Sequence, residues 1–286
     1  MQCLHFGAGA SQELPLVIVH GLFGSARNWR SIAAHIAAHW GVPTYAVDLR
    51  NHGGCALRGP IASWQTLTDD LGGFVRTQLG EGARFRLLGH SLGGLVCEAA
   101  LLGDRPGGVF WEGVGEVVVV DVSVRHPSPA DASQDRLLGL LRAMQAIEAA
   151  DVGRAQALQR LRATEPDAHV VNFLMGNARA RGGAGGPVVF DRLDLNHLAD
   201  AWPLLRAQWA RLRASSFHAW PGRALFMRGA ASEYVSSARG DYADIRHFFP
   251  RAEIVTVPNS GHWPHFDNER AFLQLLARFL GRASCE

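Results

Sequence analysis

The sequence predicts an α/β fold: a mostly parallel sheet flanked by helices, carrying a mainly helical insertion. Three observations predict it. Apolar runs of strand length alternate with stretches of helical periodicity from residue 14 to residue 121, the order that builds a parallel sheet with right-handed crossovers. The alternation stops between about residues 125 and 220 and resumes at residue 223. Of the 286 residues, 48% are hydrophobic and 19% charged, which suffices for a sizeable core.

Leu14-Pro15-Leu16-Val17-Ile18-Val19 is apolar throughout, as in a strand covered on both faces, and runs into His20-Gly21-Leu22-Phe23-Gly24-Ser25. Trp29, Ile32, Ala33 and Ile36 recur at helical spacing. Pro43-Thr44-Tyr45-Ala46-Val47-Asp48 is a second strand, ending in Leu49-Arg50-Asn51-His52-Gly53. Residues 64–79 form a helix with Leu67, Leu71, Phe74 and Val75 on its apolar face. Phe85-Arg86-Leu87-Leu88 is a third strand; it meets Gly89-His90-Ser91-Leu92-Gly93-Gly94 and then an apolar helix over 95–102. Glu116-Val117-Val118-Val119-Val120-Asp121 reads as the most deeply buried strand.

Pro127 and Pro129 open the insertion, and helical patterns follow over 136–149, 152–163 and 198–213, with no buried strand among them. Arg181-Gly182-Gly183-Ala184-Gly185-Gly186-Pro187 reads as a mobile loop. A phosphate-binding loop would need a strand leading in and a helix directly behind. Strands over 223–229 and 253–257 come next, then Asn259-Ser260-Gly261-His262-Trp263 and a final amphipathic helix over 268–280. The chain is thereby divided into a first core part, 1–124, a helical cap insertion, 125–220, and a second core part, 221–286.

Composition narrows the chemistry. All 28 basic residues are Arg, against 26 acidic ones, for a net charge of +2. Without a Lys, neither Schiff-base catalysis nor a Walker-type phosphate loop is open to the chain. The arginines are scattered, so no nucleic-acid partner is expected. Cys3, Cys55, Cys97 and Cys285 are widely spaced, with no C-x-x-C pair, which argues against a disulfide framework and against a zinc site. No metal and no cofactor are expected. The N-terminus has no basic region followed by a long apolar stretch, and no run approaches membrane-spanning length. The expectation is a cytoplasmic protein without a membrane span.

Gly89-His90-Ser91-Leu92-Gly93 carries the pattern G-x-S-x-G between a strand and a helix, the setting of a nucleophile elbow. A serine hydroxyl is a weak nucleophile and requires a base within reach, with a third group to orient that base. In open α/β sheets such groups sit just after strands. His262, after the last strand, fits the base; His265, at the entry to the final helix, competes with it. A neutral imidazole base gives a kcat/KM that rises through about pH 6–7. The acid is Asp121, which closes a strand of four valines and is costly to bury unpartnered, or Glu233, the carboxylate beside Ser232 in the loop after residue 229. The Leu92 amide and that of Leu22 or Phe23 form the oxyanion hole. Phe23, Trp263, Phe173, Leu174 and Trp202 are candidate pocket walls, and His90 is expected to face away from the cleft.

Together these residues resemble the α/β-hydrolase superfamily, more narrowly the bacterial YbfF-type esterases and the alpha/beta hydrolase domain 11 proteins. The narrower resemblance rests on His20-Gly21-Leu22-Phe23-Gly24-Ser25, Asp48-Leu49-Arg50-Asn51-His52-Gly53, Gly89-His90-Ser91-Leu92-Gly93-Gly94, Val120-Asp121-Val122 and Gly261-His262-Trp263. It implies an α/β-hydrolase fold with the cap inserted after the sixth core strand. It also implies Asp121 as the acid, with Ser232 standing where other hydrolases place an Asp. The implied activity is cofactor-free hydrolysis of a small-molecule acyl ester or thioester of short to medium chain. Two alternatives use the same fold. One is a cofactor-free lyase like the menaquinone-pathway synthase. The other is a non-enzymatic ligand sensor, whose output would survive Ser91→Ala. Ser91 at the elbow argues against dehalogenase and epoxide hydrolase chemistry, which needs an Asp there.

Overall fold

The computed structural model describes residues 1–7, 12–103, 110–125 and 132–282. Pro127, Pro129 and Cys285 lie outside the described residues. The first part of the chain contains β1 (Cys3–Phe6), β2 (Leu16–Val19), α1 (Arg30–Trp40), β3 (Thr44–Val47), α2 (Trp64–Leu79), β4 (Phe85–His90), α3 (Leu92–Leu102) and β5 (Val114–Val120). The segment that follows contains α4 (Ala132–Ala149), α5 (Arg154–Thr164), α6 (Ala168–Met175), β6 (Arg179–Ala180), β7 (Val188–Val189) and α7 (Leu195–Ser215). The last part contains β8 (Arg223–Gly229), α8 (Asp241–Phe248), β9 (Ala252–Val257), α9 (Pro264–Asp267) and α10 (Glu269–Phe279).

Seven strands form one sheet in the order β1-β3-β2-β4-β5-β8-β9. All neighbours run parallel except β1, which pairs antiparallel with β3 at the edge. The helical segment leaves from β5, not from a sixth strand, because five sheet strands precede it among the described residues. The edge strand β1 escaped the sequence reading because Cys3-Leu4-His5-Phe6 is short and only half-buried. Helices α6 and α8, eight residues each, are also additions. Residues 181–187, expected as a loop, join β6 and β7 into a small hairpin in which Arg179 pairs with Val189.

The two sides of the sheet follow from the alternation of strand side chains. Val17, Val19, Phe85, Leu87, Val117 and Val119 face α2, α3 and the inserted helices. Leu16, Ile18, Leu88, Val118 and Val120 face α1 and α10. The first cluster continues without a break into Leu140, Leu161, Leu198 and Trp209 of the insertion. Two indoles anchor that contact: Trp64 Nε1 donates to the Leu205 carbonyl and Trp209 Nε1 to the Val124 carbonyl, each at 2.9 Å.

One buried group is out of keeping with this core. Glu98 on α3 is fully buried, and among the described residues neither carboxylate oxygen has a hydrogen-bond partner. Burial holds its carboxyl well above the usual carboxylate range. A folded-state pKa above the unfolded one adds stability that is complete below the ordinary carboxylate pKa and is lost as pH rises through the folded value. Glu98→Gln stays neutral throughout. Its Tm is therefore expected to gain on the wild type as pH increases from 4 to 9, by a few degrees at the alkaline end. A Tm difference that stays constant with pH, measured by differential scanning fluorimetry, would contradict this.

Candidate active site

The carboxyl ends of β2, β4, β5, β8 and β9 carry every residue singled out for chemistry in the two core parts. Ser91 follows β4 with φ 51° and ψ −118°, a conformation rare for a residue with a side chain. Its N–H donates to the Val120 carbonyl at 3.0 Å, which ties the turn to the end of β5. The two glycines of the motif are required by close approach: a Cβ on Gly89 would lie 2.3 Å from the Gly93 carbonyl oxygen, and one on Gly93 would lie 2.2 Å from the Val19 carbonyl oxygen.

Asp121 follows β5, also at positive φ (52°), and is fully buried. Its Oδ1 accepts from the Gly229 N–H at 2.9 Å. Its Oδ2 accepts from the Ser232 hydroxyl and from His262 Nδ1 at 2.8 Å. Three donors converging on one carboxylate suit an anion. They place the His262 proton on Nδ1 and leave Nε2 with a free lone pair. Tyr234 stacks on the His262 imidazole, with ring centroids 4.0 Å apart. Among the described residues, no hydrogen bond joins Ser91 Oγ to His262; such bonds are often long before substrate binds. Glu233, the other candidate acid, is exposed on the surface of its loop.

The turn after β2 lies against the elbow: a Cβ on Gly21 would lie 2.9 Å from His90 Nδ1 and 3.1 Å from Ser91 Cβ. Gly24 N–H donates to the Gly21 carbonyl at 3.0 Å, closing a four-residue turn. Phe23 is its third residue, with φ 64°, and Leu22 has no positive φ, which makes it a type II turn. Glycine is usual at that third position; a phenylalanine there costs about 1–2 kcal/mol of backbone strain. His20 supports the turn from below, with Nδ1 donating to the Gly21 carbonyl and Nε2 accepting from the Leu49 N–H. Among the described hydrogen bonds, the amides of Leu22, Phe23 and Leu92 donate to no protein acceptor.

A cavity of about 370 Å³ opens beside the turn after β2 and the elbow, with Gly21, Leu22 and His90 in its lining. Leu22, Phe173 and Trp263 line it, together with His169 and Asn172 of α6. Phe173 and Trp263 pack against each other in its wall, with ring centroids 5.5 Å apart, and Phe266 at its rim is 76% exposed. Four expectations for this region are corrected. Leu174 and Trp202 do not line the cavity; both are buried in the main core cluster, on the inner faces of α6 and α7. Phe23 is likewise 4% exposed and packs into that cluster. His90 does not face away: it lines the cavity, and its Nε2 donates to the His262 carbonyl at 2.7 Å. His265 is buried, stacked on Trp29 at 4.0 Å, and reaches the cavity wall beside His90.

Burial pushes the imidazoles of His90 and His52 down to about 3 and lowers those of His20 and His265. All four are therefore neutral near pH 7. Tyr234 and Asn177, whose side chain reaches the turn after β2, were missing from the sequence reading. Neither lies in a recognisable motif.

Comparisons with known proteins point to one family. A sequence profile of the alpha/beta hydrolase family matches residues 16–275. The chain is 32% identical over 278 residues to the Danio rerio protein named sn-1-specific diacylglycerol lipase ABHD11, covering 95% of this chain and 80% of that one. It is 29% identical over 269 residues to esterase YbfF of Escherichia coli (strain K12), covering 93% and 92%. Among solved structures it is similar to a marine microorganism esterase, with a TM-score of 0.77, 24% identity and coverage of 97% and 98%.

Proposed function

The chain belongs to the alpha/beta hydrolase family, and on that premise we propose that it is a serine hydrolase cleaving carboxylic esters or thioesters of short to medium acyl chains. The observation that carries the proposal is the 2.8 Å hydrogen bond from His262 Nδ1 to the buried Asp121, at the same sheet rim as the strained Ser91. The relatives named as an esterase and a lipase support it.

In the proposed mechanism, Ser91 Oγ attacks the acyl carbonyl carbon while His262 Nε2 takes its proton, and Asp121 stabilises the resulting imidazolium. The carbonyl electron pair moves onto oxygen, which is received by the Leu92 amide and by an amide of the turn after β2. Collapse expels the alcohol or thiol, which takes the proton from His262. Water, deprotonated by His262, then attacks the acyl-enzyme; the carboxylic acid leaves, and the proton returns to Ser91. No step calls for a metal or a cofactor. Phe173 and Trp263 provide an apolar wall for the acyl chain, and the helices between β5 and β8 act as a cap over the site.

The test is turnover of p-nitrophenyl acetate and butyrate and of matched acyl-CoA thioesters, alongside labelling by a fluorophosphonate. Hydrolysis together with a label on Ser91 is the expected result. Labelling without any ester or thioester turnover would point instead to lyase chemistry on the same residues.

A further inference from the structure

His262 stands between β9 and α9, outside any helix or strand, so its place at the sheet rim rests on individual contacts. Asp121 holds one side of the imidazole, at Nδ1, and Tyr234 stacks on its face. Stacking limits the tilt of the ring but leaves it free to turn in its own plane. Nε2, which must meet Ser91, lies across the ring from Nδ1. With Nδ1 pinned, a shift of the backbone at 262 turns the ring and carries Nε2 with it. Among the described residues, that backbone makes one hydrogen bond: the His262 carbonyl accepts from His90 Nε2 at 2.7 Å.

The donor is the residue immediately before the nucleophile. His90 ends β4 and Ser91 follows it, so the bond ties the loop of the base to the turn of the nucleophile, across 172 residues of sequence. The His90 ring is itself held. It is 4% exposed, with its centroid 4.9 Å from that of His265 and 6.4 Å from that of Trp29. On another side a Cβ on Gly21 would come within 2.9 Å of its Nδ1, so the turn after β2 leaves it little room. Donation to the carbonyl puts the His90 proton on Nε2, and burial keeps a second proton off the ring near pH 7. The centroids of His90 and His262 are 4.8 Å apart, so a charged His90 would oppose the imidazolium that forms on the base.

We propose that His90 is a positioning residue: through its hydrogen bond to the His262 carbonyl it sets the separation between the base and the nucleophile. This rests on the serine hydrolase reading of the same site. It gives His90 a part in the rate that is exerted through His262 and not on the reacting atoms.

The test uses the full chain with p-nitrophenyl butyrate. His90→Phe keeps a ring and removes the donor; His90→Leu serves if the larger ring is not accommodated, and a melting curve reports which variant folds. Each is expected to lower kcat about 10- to 100-fold, since a misplacement of about 1 Å between reacting groups costs on the order of 100-fold. KM is expected to stay within about twofold. His90→Gln carries an amide nitrogen the same three bonds from Cβ as the imidazole Nε2, and is expected to recover kcat to within about fivefold of the wild type. His262→Ala supplies the discriminating background. With no base left to position, His90→Phe is expected to lower the residual rate there by no more than about threefold.

An equal loss in both backgrounds would mean that His90 acts on the substrate or on the oxyanion turn, and would overturn the proposal. His90→Gln as slow as His90→Phe would overturn it too, by showing that the ring counts and the hydrogen bond does not. A wild-type protein that hydrolyses no ester overturns the hydrolase reading and this inference with it. Wild-type turnover with undiminished His90→Phe or His90→Leu overturns this inference alone.

Discussion

Ser91→Ala is expected to lower ester kcat on the order of 10⁵–10⁶-fold, to the level left by binding and the oxyanion hole, while the protein stays folded. Both halves of this expectation come from the elbow. Ser91 is held at φ 51° by the helix that begins behind it and by its N–H bond to Val120. Alanine suffers the same backbone strain as serine, so the turn gains no new reason to relax. The hydroxyl makes no hydrogen bond among the described residues, so its removal leaves no buried partner unsatisfied. The Tm is therefore expected to change by no more than a degree or two, and circular dichroism to be unaltered. The sharp contrast is the point: a residue that carries the fold would lose both properties together. If Ser91→Ala retained more than a few per cent of the wild-type turnover, the nucleophile would have to be sought elsewhere.

Much of this was legible in the sequence because the features concerned are local. The apolar runs at residues 16–19 and 117–120 are buried on both faces, and a strand in that position needs no alternation to be recognised. Gly89 and Gly93 mark the elbow because backbone passes within a Cβ of each. The family resemblance drawn from five short motifs agrees with the profile match over residues 16–275. What was not legible depends on contacts between distant segments. Leu174 and Trp202 are apolar residues on the helices between β5 and β8, and nothing local tells which face of a helix meets the cavity and which meets the core. His90 was expected to face away because the elbow alone fixes its backbone; its carbonyl partner comes from a loop 172 residues later. Asn177 has the same origin: an asparagine after a short helix reads as a cap until its partner at Phe23 is known.

Asp121→Asn and Glu233→Gln are expected to have opposite fates. Asn can place its single carbonyl oxygen at only one of the two carboxylate positions. With oxygen at the Oδ2 position, its amide N–H₂ is aimed at the Gly229 N–H, donor against donor. With the amide turned round, its N–H₂ meets His262 Nδ1, and the imidazole must carry its proton on Nε2, where it can accept nothing from Ser91. The fully buried position keeps bulk solvent from relieving either conflict. A loss of about 10³–10⁴-fold in kcat follows, with the fluorophosphonate reaction slowed in proportion. Glu233 is exposed, so its neutral amide is expected to leave kcat within about twofold. Ser232 sharpens the comparison: its hydroxyl donates to the same Oδ2 that receives His262, so the loop after β8 contributes a donor to the carboxylate where it could have contributed the carboxylate itself. A large loss in Glu233→Gln with activity kept in Asp121→Asn would mean that this loop rearranges to bring the acid in from the surface, and the buried network around Asp121 would then be a structural one.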